Sequence, residues 1–595
     1  MQNNLIEEYE RRRAKLIGVR GGYWLILAAI FVSLGAIYKI VNLQNTTDTS
    51  GMKKYVESEY YRNREVEAAR GNLYAADGSI LATTVMRYDI HLDITVPKNE
   101  VYDKNVDALS DSLGKMFDKP KYYYRKILND LREKKDRYYT LKRNLDYDQY
   151  NRLRNFPIFK LGKSKGGMIV ERRYKREFAT TKIGRGTLGM DDERGKAGLE
   201  GAFSDYLSGT PGSRHEKRVG YNQWKPIDFW NEKKPIDGED VYTTLDLRIQ
   251  DIVYSALEKQ LINYNAQNGT VIVMEVETGK IKAMVNLQKN KDGAYEDAYN
   301  YAMKDRIEPG STFKVVSLLA AMDDGFIDEN TKVNIGGGVW NYAGQRITDG
   351  HGGGTYEISD VLAKSSNVGT AKLITKYYAS KPNIFFDHLK RWKLFDKMEI
   401  ELPGITTPKF VTPDDKRWNK ATLASISYGY SSGISILQLT TFYNAIANGG
   451  KMLKPLFIEK RMKDGAVLYE AQPEVMVDKI ASDKAIKMMT DALTKAVEKG
   501  TARSIFTPNL KMAGKTGTAR FEYWKKGPMK YRASFAGFYP SDKPKYTCYV
   551  MISEPDNAKG YYGGTVAAPV FKEIAGRTFL KTPQNIEKDL LVNKK

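Results

Sequence analysis

The chain has 595 residues, of which 42% are hydrophobic and 28% charged, so it is globular and too long for a single domain. Its one cysteine, Cys548, excludes an internal disulfide, and its four histidines lack metal-ligand and HExxH spacing, which argues against a metal-centred mechanism. The net charge of +22 comes from Lys and Arg mixed with Asp and Glu along the whole length, without a zinc-finger, RNP or helix-turn-helix signature, so we expect no nucleic-acid partner.

The first predicted element is a membrane anchor. Residues 21–38 form an uncharged, apolar run of about the shortest length that spans a bilayer. Basic residues cluster before this run, and by the positive-inside rule they keep residues 1–20 in the cytoplasm. We therefore predict a transmembrane helix at 21–41 and export of everything that follows. The alternative is a cleaved signal peptide, which the length of the run and the absence of a clean Ala-x-Ala site after it disfavour.

Residues 42–240 carry no catalytic pattern of their own, and we expect a non-catalytic pedestal or dimerisation domain there. After a short polar stalk, residues 70–82 predict two strands joined by an Asp77-Gly78 turn. Residues 107–154 have Leu and Tyr at helical intervals among many charges, which predicts surface helices. The glycine-rich stretches that come later do not follow a hydrophobic strand, so a dinucleotide-binding fingerprint is not expected.

A second α+β domain is predicted over residues 241–582. A helical pattern that follows residues 241–246 precedes two apolar runs, 270–276 and 280–285, which predict a buried antiparallel hairpin. A helix followed by an antiparallel pair is typical of α+β folds. Residues 583–595 are expected to form a charged, disordered tail.

A serine near the start of a predicted helix is the first candidate for catalysis. Pro309 suits the beginning of a helix, and apolar residues recur after it at the spacing of a buried face. This places Ser311 in the first turn, where free amide hydrogens and the helix dipole favour developing negative charge. Lys314 lies one turn away on the same face. A partly desolvated lysine has a lowered pKa and is able to take the serine proton, which makes Ser311 a nucleophile.

The Ser-x-x-Lys pattern alone is a weak signal. The chain contains a second copy, Ser50 to Lys53, in the predicted stalk and without a helix pattern after it. On this motif alone, Ser311 is equally well explained as a helix-capping residue beside a solvated lysine.

Two further motifs follow downstream of Ser311. Ser365-Ser-Asn367 lies about fifty residues later, and Lys515-Thr-Gly517 lies between segments with strand-like alternation. Each by itself is more often structural, as a helix cap or as a strand end. The three motifs together, in this order, are far less expected by chance.

In this order, the motifs resemble those of penicillin-binding proteins and class A β-lactamases. Further segments resemble class B penicillin-binding proteins, and the resemblance spans about residues 20 to 580. These segments are Glu308-Pro-Gly-Ser-Thr-Phe-Lys314, Ser427-Tyr-Gly-Tyr430, Gln438-Leu439, Ala445-Ile-Ala-Asn-Gly-Gly450, Arg70-Gly71, Gly198-Leu-Glu200 and Thr244-Leu-Asp246. The resemblance implies a single N-terminal transmembrane helix, an elongated α+β pedestal, and a C-terminal α+β serine transpeptidase domain of the penicillin-binding/β-lactamase-like type, with an antiparallel sheet flanked by helices.

The resemblance also implies catalytic roles. Ser311 attacks the penultimate D-alanine carbonyl of a stem peptide, releases the terminal D-alanine and keeps the rest as an acyl-enzyme. Lys314 is the implied base of this step. Ser365 and Asn367 relay protons and bind the substrate amide. An amine from a second stem peptide then resolves the intermediate.

The strand motif is implied to bind the substrate. Lys515 and Thr516 read its carboxylate, and Gly517 lets its backbone approach, since a side chain there would block antiparallel pairing. The backbone N–H groups of Ser311 and Thr518 form the oxyanion hole. No metal and no cofactor is expected.

Location and partners also follow from the resemblance. It implies a single-pass protein of the inner (plasma) membrane with periplasmic or extracytoplasmic C-terminal domains. Its ligands are peptidoglycan stem peptides, as D-Ala-D-Ala donor and amine acceptor, and β-lactams. Residues 70–93 and 561–569 are more similar to the cell-division (septal) branch than to the elongation branch. That branch implies a SEDS-family glycan polymerase and divisome membrane proteins as partners.

Several alternatives stay open at this point. One alternative is an elongation-type transpeptidase. Another is a D,D-carboxypeptidase or β-lactamase, in which water replaces the amine. A third alternative is a β-lactam sensor that acylates without turnover. The short predicted cytoplasmic segment argues against a sensor. The last alternative is a scaffold protein with an inactive site.

Overall fold

The structure is a computed structural model that describes residues 2–46, 60–179, 185–220, 223–226, 232–350 and 352–579. Most of the predicted stalk, with its second Ser-x-x-Lys copy, and the predicted charged tail lie outside the described residues, as does His351. The chain forms two compact units. One consists of residues 1–68 and 210–236, and the other of residues 69–209 and 237–595.

In chain order the strands are β1 (Tyr61–Val66), β2 (Leu73–Tyr74), β3 (Ile80–Leu92), β4 (Tyr139–Leu145), β5 (Met168–Phe178), β6 (Met190–Asp192), β7 (Gly195–Ala197), β8 (Gly212–Gly220), β9 (Gln223–Pro226), β10 (Asp240–Thr243), β11 (Asn268–Glu275), β12 (Ile281–Lys289), β13 (Tyr295–Glu296), β14 (Lys332–Gly336), β15 (Val339–Tyr342), β16 (Gln345–Thr348), β17 (Gly354–Glu357), β18 (Lys409–Phe410), β19 (Ser432–Gly433), β20 (Met452–Leu453), β21 (Ile458–Lys463), β22 (Ala466–Glu470), β23 (Val475–Val477), β24 (Ala513–Phe521), β25 (Lys530–Tyr539) and β26 (Tyr546–Ser553).

The helices are α1 (Gln2–Thr46), α2 (Asn99–Phe117), α3 (Lys121–Glu133), α4 (Tyr147–Arg154), α5 (Lys163–Gly166), α6 (Arg185–Leu188), α7 (Gly198–Ala202), α8 (Ser204–Leu207), α9 (Leu247–Asn263), α10 (Tyr301–Lys304), α11 (Lys314–Asp323), α12 (Ile358–Ala363), α13 (Asn367–Tyr378), α14 (Pro382–Arg391), α15 (Thr422–Ser427), α16 (Ile436–Ala447), α17 (Asp483–Glu498), α18 (Gly563–Val566) and α19 (Ala568–Phe579), with 3₁₀ helices at Phe159–Leu161, Gly310–Phe313 and Arg503–Ile505.

The smaller unit contains α1 and a three-stranded antiparallel sheet in the order β1-β8-β9. Within α1, the 21 residues Gly22–Asn42 have a mean hydropathy of 2.2 and are not buried by the rest of the protein. Their length and composition are sufficient to cross a membrane, so the predicted N-terminal apolar helix is confirmed. In the sheet, the buried Glu216 forms ion pairs with Arg62 (2.6 Å) and Arg214 (2.9 Å), which offset the cost of burying its charge.

The larger unit begins with the strand pair β2–β3 around the predicted Asp77-Gly78 turn. β3 also pairs with β4 and β5, and α2 and α3 share a separate core with this sheet through residues such as Val106 and Leu128. Residues 107–154 are therefore not helical throughout, because β4 lies between α3 and α4. Helical spacing in the sequence does not reveal the long-range partner that makes this segment a strand.

The sheet continues past residue 240. β10 pairs in parallel with β2 and antiparallel with β21, which gives a seven-stranded sheet in the order β22-β21-β10-β2-β3-β4 with β5 beside β3. Strands from both sides of the predicted boundary at residues 240 and 241 thus belong to one backbone hydrogen-bond ladder, and the boundary itself stays a prediction.

A buried charge network holds the pedestal segments together. Arg70 pairs with Asp191 (2.7 Å) and with Glu200 (2.9 Å), and Arg176 on β5 binds the other carboxylate oxygen of Glu200 at 2.7 Å. The Glu200 side chain is only 2% exposed, and a buried charge without a partner is costly. Two segments that the sequence analysis noted far apart in the chain, at Arg70 and Gly198-Leu-Glu200, therefore meet here.

The centre of the larger unit is a six-stranded antiparallel sheet in the order β13-β12-β11-β26-β25-β24. Side chains alternate along β11, so that Val271 and Val273 face one core and Ile272 and Met274 the other. The first core is closed by α9 and α19, and the second by α11 and α16. The predicted α+β domain with an antiparallel sheet flanked by helices is confirmed.

Candidate active site

Ser311 lies in the 3₁₀ turn Gly310–Phe313, directly before α11. Gly310 has a φ of 57°, and its amide donates to the carbonyl oxygen of Gly429, whose φ is 91°, at 3.1 Å. Both values lie in the left-handed region, which glycine adopts without a Cβ penalty. The Thr312 hydroxyl donates to the Pro309 carbonyl at 2.9 Å and closes the turn. The sequence predicted α-helix already at Ser311, whereas the α-helix begins at Lys314 because of this turn.

The Lys314 side chain is fully buried. Its Nζ donates to the carbonyl oxygen of Ser365 at 2.5 Å and to Ser365 Oγ at 3.2 Å. Burial lowers the pKa of Lys314 to about 7, although the negative charge of Asp349 acts in the opposite direction. A large fraction of this amine is therefore neutral near pH 7 and able to accept a proton.

The Ser365-Ser-Asn367 motif joins α12 to α13. Ser365 has a φ of 58°, an uncommon conformation for a residue other than glycine, and this turn presents its carbonyl to Lys314. Ser366 is the N-cap of α13 and accepts a hydrogen bond from Gly369 N at 2.8 Å. The Asn367 side-chain amide donates to the Thr348 carbonyl at 2.8 Å. The motif is thus both a helix cap, as its structural interpretation predicted, and a neighbour of Lys314.

Asp349 fixes this motif and was not found by the sequence analysis. It follows β16, and its Oδ2 accepts from Ser366 Oγ at 2.5 Å. Its Oδ1 accepts from the backbone amides of Asn367 (2.5 Å) and Val368 (3.0 Å). A carboxylate that accepts amide hydrogens at a helix N-terminus is favoured by the helix dipole. No motif in the sequence marks Asp349, since it lies 17 residues before Ser366 in an unrelated hairpin.

Strand β24 carries the Lys515-Thr-Gly517 motif. Lys515 is fully buried, and its Nζ donates to the Thr516 carbonyl at 2.9 Å. Burial, and then the charge of Lys314, hold the pKa of Lys515 well below its usual value. The Thr516 hydroxyl lies 2.7 Å from the hydroxyl of Thr501, which the sequence analysis also missed.

Gly517 lies against β25 and the Ser311 turn. A Cβ at this position would overlap the Ser534 hydroxyl on β25 and lie 3.1 Å from Thr312 Cγ2. The missing side chain therefore allows close packing of β24 against the Ser311 turn, inside the protein. That is a packing reason for glycine at this position, and the role of Gly517 in substrate approach stays a prediction.

One cleft of about 510 Å³ collects the predicted polar residues. Its wall includes Ser311, Ser365, Asn367, Thr516 and Thr518. Lys314 and Lys515 are fully buried and do not appear on this wall. Wall residues that the sequence analysis did not assign are Gly350, Lys364, Gly500, Thr501, Arg503, Ser504, Tyr562, Gly564 and Thr565.

The segment around Gly563 completes the cleft beside Thr518 on β24. The Gly563 amide donates to Thr518 Oγ1 at 3.0 Å, and a Cβ on Gly563 would overlap the carbonyl oxygens of Gly517 and Ser534. In the sequence this segment indicated only a branch of the family, whereas in the structure it orients the Thr518 hydroxyl. In the part of the chain that the structure describes, no cluster of His, Cys, Asp and Glu side chains is arranged to hold a metal ion.

Comparison with known families gives two matches along the chain. The penicillin-binding protein transpeptidase domain matches residues 269–576, and the penicillin-binding protein dimerisation domain matches residues 65–243. All eight predicted site residues fall within the first match.

Individual proteins are similar over most of the chain. A probable peptidoglycan D,D-transpeptidase PenA of Neisseria meningitidis is 29% identical over 563 residues, which cover 93% of this chain and 91% of the relative. Peptidoglycan D,D-transpeptidase FtsI of Escherichia coli is 27% identical, with 89% of this chain and 86% of the relative covered. The crystal structure of penicillin-binding protein 3 from Mycobacterium tuberculosis complexed with aztreonam has a TM-score of 0.61 at 22% identity and covers 86% of this chain and 96% of its own. This last likeness shows a shared fold.

Proposed function

Because this chain belongs to the class B penicillin-binding proteins, a family of peptidoglycan D,D-transpeptidases, we propose that it cross-links stem peptides through an acyl-enzyme on Ser311. One arrangement carries this proposal. Ser311 lies on the wall of a polar cleft, and Lys314, three residues later, is buried, has a pKa of about 7 and is bonded to Ser365 on the same wall.

The first half-reaction forms the acyl-enzyme. The neutral Lys314 amine takes the proton of the Ser311 hydroxyl while Oγ attacks the penultimate D-alanine carbonyl of the donor. The C–N bond to the terminal D-alanine breaks, the proton goes to its nitrogen, and D-alanine leaves. The backbone N–H groups of Ser311 and Thr518 bind the oxyanion, a contribution of roughly 3 to 4 kcal/mol per donor in comparable sites.

The donor peptide occupies the polar wall of the cleft. Asn367 binds its amide, and the hydroxyls of Thr516 and Thr518 bind its terminal carboxylate. Lys515 supports this anion from within, since its Nζ lies 3.4 Å from Thr516 Oγ1. An incoming carboxylate favours the ammonium form of Lys515, so donor binding is coupled to proton uptake. Gly517 acts by keeping β24 close to the Ser311 turn.

The second half-reaction returns the free enzyme. An amine of a second stem peptide attacks the ester carbonyl, the new C–N bond forms, the C–O bond to Ser311 breaks, and a proton returns to Oγ. β-Lactams acylate the same Ser311 through ring opening, after which no leaving group departs and the adduct persists. The aztreonam complex of the Mycobacterium tuberculosis protein lends support to this assignment.

The cellular setting is part of the same proposal. Gly22–Asn42 crosses the inner membrane once, and the domains after it lie outside the cytoplasm, because basic residues precede the apolar run. The role is septal, beside a SEDS-family glycan polymerase and divisome membrane proteins, and similarity to FtsI over 89% of the chain supports it. Depletion in the native organism tests this role. Filaments with unfinished septa support it, whereas rounded cells that still divide favour the elongation branch.

The reaction is tested with the full chain in detergent, a D-Ala-D-Ala-terminated stem peptide and an amine acceptor. Wild type is expected to release D-alanine and to form one new amide per D-alanine. Ser311→Ala is expected to do neither. Release of D-alanine by Ser311→Ala at the wild-type rate would remove the proposal.

A further inference from the structure

Two buried tyrosines contact the turn that contains Ser311. Tyr443 lies on α16 and Tyr549 lies on β26, and both side chains are fully buried. Neither residue lines the catalytic cleft. Both hydroxyls bond to Thr312, the residue directly after the nucleophile. The Ser311 turn is therefore held from inside the protein by two elements that carry none of the predicted site residues.

The Tyr443 hydroxyl holds the backbone of the turn. It donates to the Thr312 carbonyl oxygen at 2.8 Å. This carbonyl lies within the 3₁₀ turn Gly310–Phe313, directly before α11. Hydrogen bonds inside a 3₁₀ turn have poorer geometry than those of an α-helix. A hydrogen bond from outside the turn therefore adds to what fixes its backbone.

The Tyr549 hydroxyl holds the side chain of the same residue. Its oxygen lies 3.1 Å from Thr312 Oγ1. A threonine hydroxyl has one proton to donate, and that of Thr312 goes to the Pro309 carbonyl. Tyr549 is therefore the donor in its contact with Thr312. Because Thr312 Oγ1 accepts from Tyr549 while it donates to Pro309, Tyr549 also orients the bond that closes the turn.

Tyr549 connects the turn to the neighbouring strand as well. Its oxygen has a further hydrogen bond with the Ser534 side chain on β25. Since the Tyr549 proton is used on Thr312, Ser534 is the donor in this second bond. A Cβ on Gly517 would overlap the same Ser534 hydroxyl. A directed series of hydroxyl groups thus runs from β25, beside Gly517, through Tyr549 to the Ser311 turn.

Both tyrosines remain neutral donors over the pH range in which Lys314 changes its charge. Burial raises the pKa of Tyr549 to about 12 and holds the pKa of Tyr443 well above its usual value. Lys314, by contrast, has a pKa of about 7. An effect of the tyrosines on the position of the turn is therefore expected to be independent of pH, whereas an effect through Lys314 is not.

We infer that Tyr443 and Tyr549 are positioning residues of the acylation step, whose hydroxyls fix Thr312 from two directions and thereby set the orientation of the Ser311 Oγ and backbone N–H. The inference rests on the proposed function, in which Ser311 is the nucleophile and its N–H binds the oxyanion. Ser311 and Thr312 share a peptide group, so a rotation of the Thr312 backbone moves both reacting groups. A misplacement of about 1 Å is able to slow a reaction by roughly 100-fold.

The test uses the full chain in detergent and stopped-flow acylation with a chromogenic cephalosporin. A concentration series separates the dissociation constant of the first, non-covalent complex from the rate constant for acylation. Tyr443→Phe and Tyr549→Phe each remove one hydroxyl and keep the ring. Tyr539→Phe is the matched control. Tyr539 is also fully buried on the same sheet, but it faces the other core and its hydroxyl bonds to Thr578 at 3.0 Å.

We expect Tyr443→Phe and Tyr549→Phe each to lower the rate constant for acylation about tenfold, with the dissociation constant of the first complex unchanged. The pH midpoint of acylation should stay near 7, since Lys314 keeps its hydrogen bonds to Ser365. Tyr539→Phe is expected to acylate at the wild-type rate. All three variants lose a buried hydrogen bond, so a loss of stability alone would not separate the control from the other two.

A second background ties the effect of Tyr549 to one bond. Thr312→Val removes the hydroxyl and keeps the branched shape of the side chain. In this background, Tyr549→Phe should not slow acylation further, because its bond partner is absent. Tyr443→Phe should still lower the rate about tenfold there, since it acts on the carbonyl. In Thr312→Ser, which retains the hydroxyl, Tyr549→Phe should keep its full effect.

Three outcomes would overturn the inference. The first is acylation of Tyr443→Phe and Tyr549→Phe at the rate of Tyr539→Phe. The second is an equal loss from Tyr549→Phe in the wild-type and Thr312→Val backgrounds. The third is a shifted pH midpoint in either tyrosine variant, which would assign the effect to Lys314. A wild-type chain that is not acylated on Ser311 would instead overturn the proposed function, and the inference with it.

Discussion

Lys314 Nζ donates a 2.5 Å hydrogen bond to the carbonyl oxygen of Ser365, a residue 51 positions later in the chain. This contact joins the first two motifs directly. It holds a buried amine at a backbone acceptor without a contacting carboxylate, so burial dominates and the pKa of Lys314 falls to about 7. The same contact requires Ser365 to adopt a φ of 58°, which the Asp349 hydrogen bonds to the following residues support.

The pH dependence of acylation follows from Lys314. Only the neutral amine accepts the Ser311 proton, so the rate constant for acylation by a β-lactam should rise with pH through about 7 and level off above it. Below the midpoint, we expect a fall of about tenfold per pH unit. Stopped-flow acylation with a chromogenic cephalosporin between pH 5 and 9 measures this profile. A rate that is flat from pH 5 to 8 would contradict Lys314 as the base.

Asp349→Asn should shift that profile and lower its plateau. The negative charge of Asp349 raises the pKa of Lys314, so its removal should move the midpoint to a more acidic pH than in wild type. Loss of charged hydrogen bonds to Ser366 and Asn367 should reduce the plateau about tenfold or more, since such bonds contribute roughly 1.5 to 3 kcal/mol each.

Asp360→Asn is the matched control for this variant. Asp360 lies on the neighbouring helix α12 and pairs with Lys495 at 2.9 Å. Asp360→Asn should leave the pH midpoint of acylation at its wild-type value. A lower plateau in Asp349→Asn without any change of midpoint would show that Asp349 acts on structure alone.

The sequence predicted the three motifs and their order, but not the elements that hold them. Ser311, Ser365 and Lys515 are found because each lies in a short local pattern. Asp349 and Thr501 contact these motifs only through the fold, from segments without a pattern of their own. Strand β4 was missed because its pairing with β3 decides it, and that partner is distant in the sequence. The 3₁₀ turn at Ser311 was missed because the positive φ of Gly310 decides it, and helix propensity does not reveal that conformation.

The neighbours of Gly517 are likewise set by the fold and not by a local sequence pattern. What a Cβ at this position would meet depends on which strand and turn lie beside β24, and no local pattern reveals those neighbours. Gly517→Ala should therefore slow acylation at least tenfold, because the added carbon would push β24 away from Ser534 and the Ser311 turn.

A second substitution separates the two reasons for Gly517. Ser534→Ala removes the hydroxyl that the new Cβ would overlap, so the double variant should regain acylation relative to Gly517→Ala. Ser534→Ala alone serves as the control. If the double variant acylates no faster than Gly517→Ala, substrate approach rather than packing requires the glycine.

Glu200→Gln should destabilise the larger unit. The substitution removes the buried negative charge of Glu200 that pairs with the half-buried guanidinium of Arg176, and breaking a buried ion pair costs about 3 to 5 kcal/mol. Urea unfolding of the full chain in detergent, followed by tryptophan fluorescence, measures the loss. Glu193→Gln changes an exposed carboxylate on the same segment and should leave the midpoint unchanged. Equal midpoints for the two variants would contradict a stabilising role of the network.

The covalent adduct tests the central claim most directly. The full chain in detergent is treated with labelled penicillin, digested, and analysed by peptide mass spectrometry. We predict one adduct per chain, on the peptide that contains Ser311, and none in Ser311→Ala. An adduct on any other peptide, or an equal adduct in Ser311→Ala, would contradict Ser311 as the nucleophile.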